Sequence, residues 1–139
     1  MVTEVAAALE EQFDWLIRPS SATGNEEGNL FEDALPDTPD FAVGLYEYGG
    51  SAPSQTLGNR NPTERPRLQV LVRHLETEDA KAFAKQIMRY LITINDQVLS
   101  GVRYVKISAA SNVSIIGTDS ENRHRYSANY EVEKEWSPE

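Results

Sequence analysis

Hydrophobic residues recur at helical spacing near the start of the chain. Val5, Leu9 and Phe13 follow one another at intervals of four residues, and acidic residues lie on or near the opposite side. This spacing is typical of an amphipathic helix. Pro19 cannot easily continue such a helix. The pattern therefore predicts an N-terminal helix over residues 1–18.

A second and clearer helical pattern lies in residues 77–95. Thr77 is the predicted N-cap, and the acidic residues 78 and 79 suit the positive end of a helix dipole. The apolar stripe has the three- and four-residue spacing of one helix face. Its members are Ala80, Phe83, Ala84, Ile87, Tyr90, Leu91 and Ile94. We predict that this main helix packs its apolar stripe on a sheet.

Alternation of apolar and polar residues marks the strands. In the last predicted strand, Tyr126, Ala128, Tyr130 and Val132 share one face, and polar residues share the other. The pattern at 67–75 is apolar on both faces, which is typical of a central, covered strand. The other segments predicted to be extended are residues 30–31, 41–48, 102–108 and 113–116.

Residues 51–66 separate two of these strands and contain almost no large apolar side chain. Loops longer than about 12 residues inside compact domains are usually functional or disordered. We predict a long hairpin arm here. The whole pattern predicts an α+β fold, with a mostly antiparallel sheet of about four strands, two helices packed on one face, and the element order α-β-β-α-β-β. We expect residues 1–139 to form a single domain.

The composition agrees with one small domain. A chain of 139 residues with 40% apolar content suits one core. It contains no cysteine, which excludes disulfides and thiolate metal sites. No apolar run approaches the roughly 20 residues that span a bilayer, and the first residues lack the pattern of a secretion signal. We expect a protein that is made in the cytoplasm and does not enter a membrane.

The charge balance limits the possible partners. Thirteen basic residues against 22 acidic ones give a formal net charge of −9. A surface that wraps nucleic acid needs a concentrated basic patch, so this balance argues against such a function. It remains compatible with solubility alone, or with a surface that DNA passes without sticking.

No enzyme motif is present. The serines do not form a G-x-S-x-G elbow, the glycines do not form a phosphate-binding loop, and the carboxylates do not form a spaced pair in an apolar setting. His74 and His124 have no metal-ligand spacing. A structural role is the default for His74, and an exposed or interface position is the default for His124. We therefore expect no enzymatic activity, no catalytic residue, no cofactor and no metal.

Three polar residues near the end of the chain are candidates for contacts. Asp119 and Arg123 flank a predicted turn and can pair across it, and such an exposed pair contributes roughly 0 to 1 kcal/mol. The alternative is that they contact a partner. Asn129 faces away from the predicted core. Two interpretations stay open for it, simple exposure to solvent and a hydrogen bond across an interface.

Several segments together resemble a known family. They are Pro36–Asp40 leading into Leu45–Gly50, then Arg65–Arg73 leading into a helix, and finally Gly117–Asp119 with Asn129–Val132. In this order and spacing they resemble the tail terminator, or tail completion, proteins of long-tailed bacteriophages, which are minor capsid proteins of the lambda type. The turn at Ser120–Arg123 departs from the pattern, because a glycine is expected there.

The resemblance implies a structural protein of the virion. Such proteins form a homohexameric ring at the head-proximal end of the tail tube, stop tube polymerisation and provide the surface for head-to-tail joining. The implied partners are further copies of the chain, the tail tube protein and the head connector or neck protein, while DNA passes through the channel without specific binding. The residues we expect at a subunit or tube interface are Arg60, Asn61, Arg65, Asp119, Arg123 and Asn129.

Two other classes stay open at the level of sequence. One is another component of the phage neck or tail, either a head-completion protein or a tail tube subunit. A tube subunit polymerises openly, whereas a terminator stops at one ring. The other class is a small ligand-binding α+β domain, which needs a polar cluster in a pocket.

Overall fold

In the computed structural model, which describes residues 1–19, 28–54 and 63–135, a sheet curls into a half-barrel around one hydrophobic core. Two helices supply the other side of that core. The helices are α1 (Val2–Gln12) and α2 (Thr77–Leu91). The strands are β1 (Leu30–Glu32), β2 (Ala42–Ser54), β3 (Thr63–His74), β4 (Asn95–Leu99), β5 (Val102–Ala109), β6 (Ser114–Thr118) and β7 (His124–Glu135).

The predicted fold class was wrong in the number and order of its strands. The described residues form a seven-stranded sheet with the strand order β1-β2-β3-β7-β5-β4, and β6 pairs with β7 beside the end of β5. Only the β1–β2 pair is parallel, and the other pairs are antiparallel. Along the chain the order is α-β-β-β-α-β-β-β-β, in place of α-β-β-α-β-β.

Strand β4 has no signature of its own, which explains part of this error. Its sequence, Asn95-Asp96-Gln97-Val98-Leu99, is rich in residues that are rare in strands, and it is largely exposed. It is extended because it pairs with β5 across a two-residue turn. In that turn Ser100 and Gly101 both have positive φ, as in the tight turns that join hairpin strands. Because β4 begins at Asn95, helix α2 cannot extend to the predicted limit at residue 95, and it ends at Leu91.

The hairpin of β2 and β3 is longer than the sequence pattern indicates. The sequence pattern predicted a strand over residues 41–48, but β2 continues through Gly49 and Gly50 to Ser54. Both glycines have positive φ at a register shift against β3, so they form an irregularity within the strand. A Cβ on Gly50 would lie 2.5 Å from the Arg65 carbonyl oxygen, so the close approach of the strands requires glycine.

The core lies between the helices and the inner side of the sheet. Ala128, Tyr130 and Val132 of β7 point into it, as the alternation predicts. Helix α1 ends at Gln12 because Phe13 is extended, and its ring packs against those of Trp15 and Tyr90. No described helix has the length and apolar composition that crossing a membrane requires.

Candidate interaction face on the central strands

The side of the sheet that faces away from the helices carries most of its charge; we call it the outer face. On β3 the residues of odd number point to it, from Arg65 at one end to Arg73 at the other, because side chains alternate along a strand. Its neighbours on β7 run from Arg125 to Glu133 in the same alternation. Exposure falls along this face, since Arg65 and Arg67 are exposed while Arg73 is buried.

The exposed end of this face forms a cleft that we call the open groove, with a volume of about 150 Å³. Its lining residues are Arg65, Arg67, Lys106, Ser108, Glu131, Val132 and Glu133. Arg65 approaches Glu133 at 3.5 Å, and its side chain is more than half exposed. Among the described residues, Arg67 and Lys106 form no ion pair. The groove thus presents positive charge that is available to a partner.

The buried end is organised by Arg123, whose side chain is 3% exposed. Its guanidinium contacts Asp119 at 2.8 Å and Asp37 at 2.9 Å, and it also donates to the Asp37 carbonyl oxygen. Burial works to lower the pKa of Arg123, but its hydrogen bonds to Asp37 and Asp119 raise it overall. Arg123 therefore ties the turn before β7 to the segment between β1 and β2.

That segment, residues 34–40, crosses the buried end of the outer face, and we call it the strap. Arg73 donates to its Pro39 carbonyl oxygen at 2.5 Å and to its Asp40 carbonyl oxygen at 3.3 Å. Within the described residues, the strap forms no backbone–backbone hydrogen bond with another element. Two arginines therefore hold it in place.

Asp119 is fixed in its charged form by the same turn. Burial alone would raise its pKa, but the backbone N–H groups of Arg123 and Glu121 and the Arg123 guanidinium all donate to its carboxylate, so its pKa is lowered overall. This network requires the carboxylate. It fixes the turn geometry without the glycine that the family pattern led us to expect.

Beneath the strap lies a cleft of about 380 Å³, which we call the arginine cleft. Its lining residues are Leu35, Asp37, Tyr46, Leu71, Arg73, Asp119, Ser120, Arg123 and Arg125. The Tyr46 ring lies over Gly44, where an added Cβ would come within 2.9 Å of the ring. Burial raises the pKa of Tyr46, so its hydroxyl stays protonated and can donate.

The structure separates the residues that the sequence suggested as one interface. Arg60 and Asn61 lie outside the described residues. Arg65 lies in the open groove, whereas Asp119 and Arg123 pair as suggested but inside the chain, so their pair is not the exposed one we considered. Asn129 is not on an edge, because β7 pairs with β3 there and the Asn129 carbonyl accepts from residues 110 and 111.

Sequence reasoning missed three features of this region. Arg73 and Arg125 were not singled out, although both lie at odd positions of amphipathic strands, where alternation places them on the outer face. At the far end of β7, Lys134 is 3% exposed on the core side and pairs with Glu64 at 2.6 Å. Alternation along β7 places the even-numbered Lys134 on the core side. Sequence reasoning missed this position because a charged residue is rarely buried without a partner, and the partner lies on another strand.

The described residues offer no site for a metal. No group of three or more histidine or acidic side chains in them is placed to hold a cation. Four carboxylates lie within 4.0 Å of the Arg123 guanidinium, which pairs with each of them.

A family model described as "Bacteriophage tail terminator protein" matches residues 14–136. This range includes both ends of the outer face, the strap and every strand. No curated protein matches the chain.

Solved structures with a similar fold exist. One chain, from a structure described as the virion of a native gene transfer agent particle, has a TM-score of 0.54 at 19% identity, covering 76% of this chain and 78% of that one. Another chain, whose description names no function, has a TM-score of 0.55 at 15% identity, covering 100% of this chain and 99% of that one. At these identities the likeness concerns the fold alone.

Proposed function

The chain belongs to the bacteriophage tail terminator family, and we propose that it assembles into a homohexameric ring on the head-proximal end of a tail tube. There the ring stops tube polymerisation and provides the surface for head-to-tail joining. The family match over residues 14–136 carries this proposal.

In a ring, one surface of each subunit binds a different surface of its neighbour, and the rotation between neighbours brings the last subunit back to the first. The open groove is suited to be one of these two surfaces, since Arg67 and Lys106 have no ion pair among the described residues. We propose that Arg65, at its rim, contacts a neighbouring subunit or the tube. Asp119 and Arg123 serve this interface indirectly, by fixing the strap, and Asn129 lies between the two regions.

The charge of the whole chain is compatible with a channel component. The net charge of −9 would repel DNA, so a lumen lined by carboxylates lets DNA pass without specific binding. In this proposal the chain acts as a single domain without enzymatic activity, and its partners are further copies, the tail tube protein and the head connector. Neutralising the lumen carboxylates should then slow genome ejection; unchanged ejection would count against the repulsive channel.

The deciding experiment is electron microscopy with mass determination of the purified protein, alone and mixed with tail tubes assembled from the cognate tube protein. We expect rings at tube ends and tubes that stop growing. Open tubes formed by this protein alone would make it a tube subunit. A ring that binds only the head connector would make it a head-completion protein. A monomer in isolation is compatible with the proposal if rings form once tubes are added.

Two matched variants locate the interface. Arg67→Glu reverses a charge in the open groove, and we expect it to fold but to lose rings at tube ends. Arg89→Glu makes the same charge change at an exposed position of α2, and we expect it to cap tubes like the unmodified protein. Normal capping by Arg67→Glu would remove the open groove from the interface but would leave the terminator function standing.

A further inference from the structure

A strip of aromatic rings lies on the helical side of the molecule, where α2 meets the segment that follows α1. The Trp15 ring centroid lies 4.5 Å from that of Phe83 and 4.8 Å from that of Phe13, and the Phe13 centroid lies 5.9 Å from that of Tyr90. All four side chains are half-buried, so the strip packs on the core with one side and reaches solvent with the other. Aromatic side chains of this kind are enriched at the centres of protein interfaces.

The α2 side of this strip is basic. A cleft of about 620 Å³ opens there, and it is lined by Gln12, Phe13, Gln86, Arg89, Tyr90 and Thr93. Lys85 and Arg89 lie one turn apart on α2, are exposed, and form no ion pair among the described residues. The acidic residues of α2, Glu78 and Asp79, lie in its first turn, nearly two turns before Lys85.

The α1 side of the strip is acidic. Glu11 and Asp14 are exposed, and neither forms an ion pair within the described part of the chain. Burial and, after it, the Glu11 carboxylate raise the pKa of Tyr90, so Glu11 lies close to the strip. The neighbouring Glu10 is already paired with Arg18 at 3.3 Å. We call the aromatic strip with these two charged sides the helix face.

We propose that the helix face pairs two copies of the chain about a twofold axis that runs along the aromatic strip. Such a rotation brings the acidic side of each copy against the basic side of the other, and the two strips against each other. A twofold interface requires a surface that is complementary to itself, and the order acidic, aromatic, basic has this property. Two copies that each carry a net charge of −9 repel one another, so a contact with matched charges is favoured over other approaches.

This inference does not depend on the terminator function. The helix face and the open groove lie on opposite sides of the sheet, so pairing leaves the groove free. Substitutions in the helix face should therefore leave tube capping intact, and loss of pairing and loss of capping are separate results.

The test is a charge exchange, measured as mass by analytical ultracentrifugation of the purified chain without tubes. One variant carries Lys85→Glu and Arg89→Glu, and the other carries Glu11→Lys and Asp14→Lys. We expect the unmodified chain to dimerise with increasing concentration, and each variant alone to have a dissociation constant raised about tenfold or more, because like charges then face each other at both contacts. Mixing the two variants should restore the dimer, since opposite charges meet again at both contacts.

The design separates this contact from general effects of charge and of folding. Each pair of substitutions changes the formal net charge of −9 by four units, so both variants remain negative and have no overall attraction. The substituted residues are exposed, whereas the aromatic side chains also pack on the core. Arg103→Glu, at an exposed position of β5, should dimerise like the unmodified chain.

Two results would overturn the proposal. One is an unmodified chain that stays single at every concentration, even if the substitutions then weaken its binding to the tube protein, because the helix face would in that case bind the tube. The other is a dimer or a ring whose mass does not change with either variant or with their mixture.

Discussion

The open groove and the arginine cleft lie on the same face of the same strands, yet they hold positive charge differently. In the cleft, Arg73 and Arg123 are buried and organised by hydrogen bonds to the strap. In the open groove, Arg65 and Arg67 are exposed, and of these two only Arg65 forms an ion pair among the described residues. The same residue type therefore stabilises the chain at one end of the face and remains available to partners at the other.

The largest expected difference comes from replacing one arginine at each end by methionine. Arg73→Met removes a buried cation that donates to two strap carbonyls, and we expect a loss of about 2 kcal/mol in the free energy of unfolding. Arg67→Met changes an exposed residue and should remain within about 0.5 kcal/mol. Urea denaturation of both variants measures the difference, and equal losses would mean that the two ends do not differ in this way.

Acid should destabilise the buried end of the outer face through Asp119. The pKa of Asp119 is lower in the folded chain than in the unfolded one, so the unfolded state binds more protons as the pH falls. The stability that Asp119 supplies is therefore complete above its unfolded pKa of about 3.9 and is lost as the pH falls towards its folded value. Asp119→Asn should be less stable at neutral pH and should show a flatter stability profile below about pH 4.

Two buried tyrosines test whether a hydrogen-bond partner, and not burial alone, determines the contribution of a polar group. Tyr104 and Tyr130 are both 0% exposed, and burial raises the pKa of each. The Tyr104 hydroxyl donates to Glu4 at 3.0 Å, whereas the Tyr130 hydroxyl has no partner in the described residues. In thermal unfolding, Tyr104→Phe should cost about 1 kcal/mol, and Tyr130→Phe should be neutral or stabilising.

The smallest effect should come from the exposed ion pair of the open groove. A double-mutant cycle on Arg65 and Glu133, with alanine at each position, should give a coupling energy between 0 and about 1 kcal/mol. Added salt should reduce it, because exposed charges are screened. A coupling well above this range that persists in high salt would show that the groove is organised like the cleft.

Local patterns predicted the parts of the fold whose residues lie close together in sequence. The alternation from Tyr126 to Val132 placed Ala128, Tyr130 and Val132 in the core, and the stripe on α2 placed Ile87 and Leu91 there. Strand β4 had no such pattern, because only its pairing with β5 keeps it extended. For the same reason the strand count and order could not be read from periodicity.

By itself, the sequence determined the faces of the main strands and helices, the absence of cysteine, the acidic balance and the resemblance to the tail terminator family. Only the tertiary structure decided what each charge does. Arg123 and Asp37 are 86 positions apart in the chain, and no local spacing indicates that Arg123 binds this residue of the strap. Burial and pairing depend on contacts between distant segments, so the division of one charged face into a buried cleft and an open groove appears only in the folded chain.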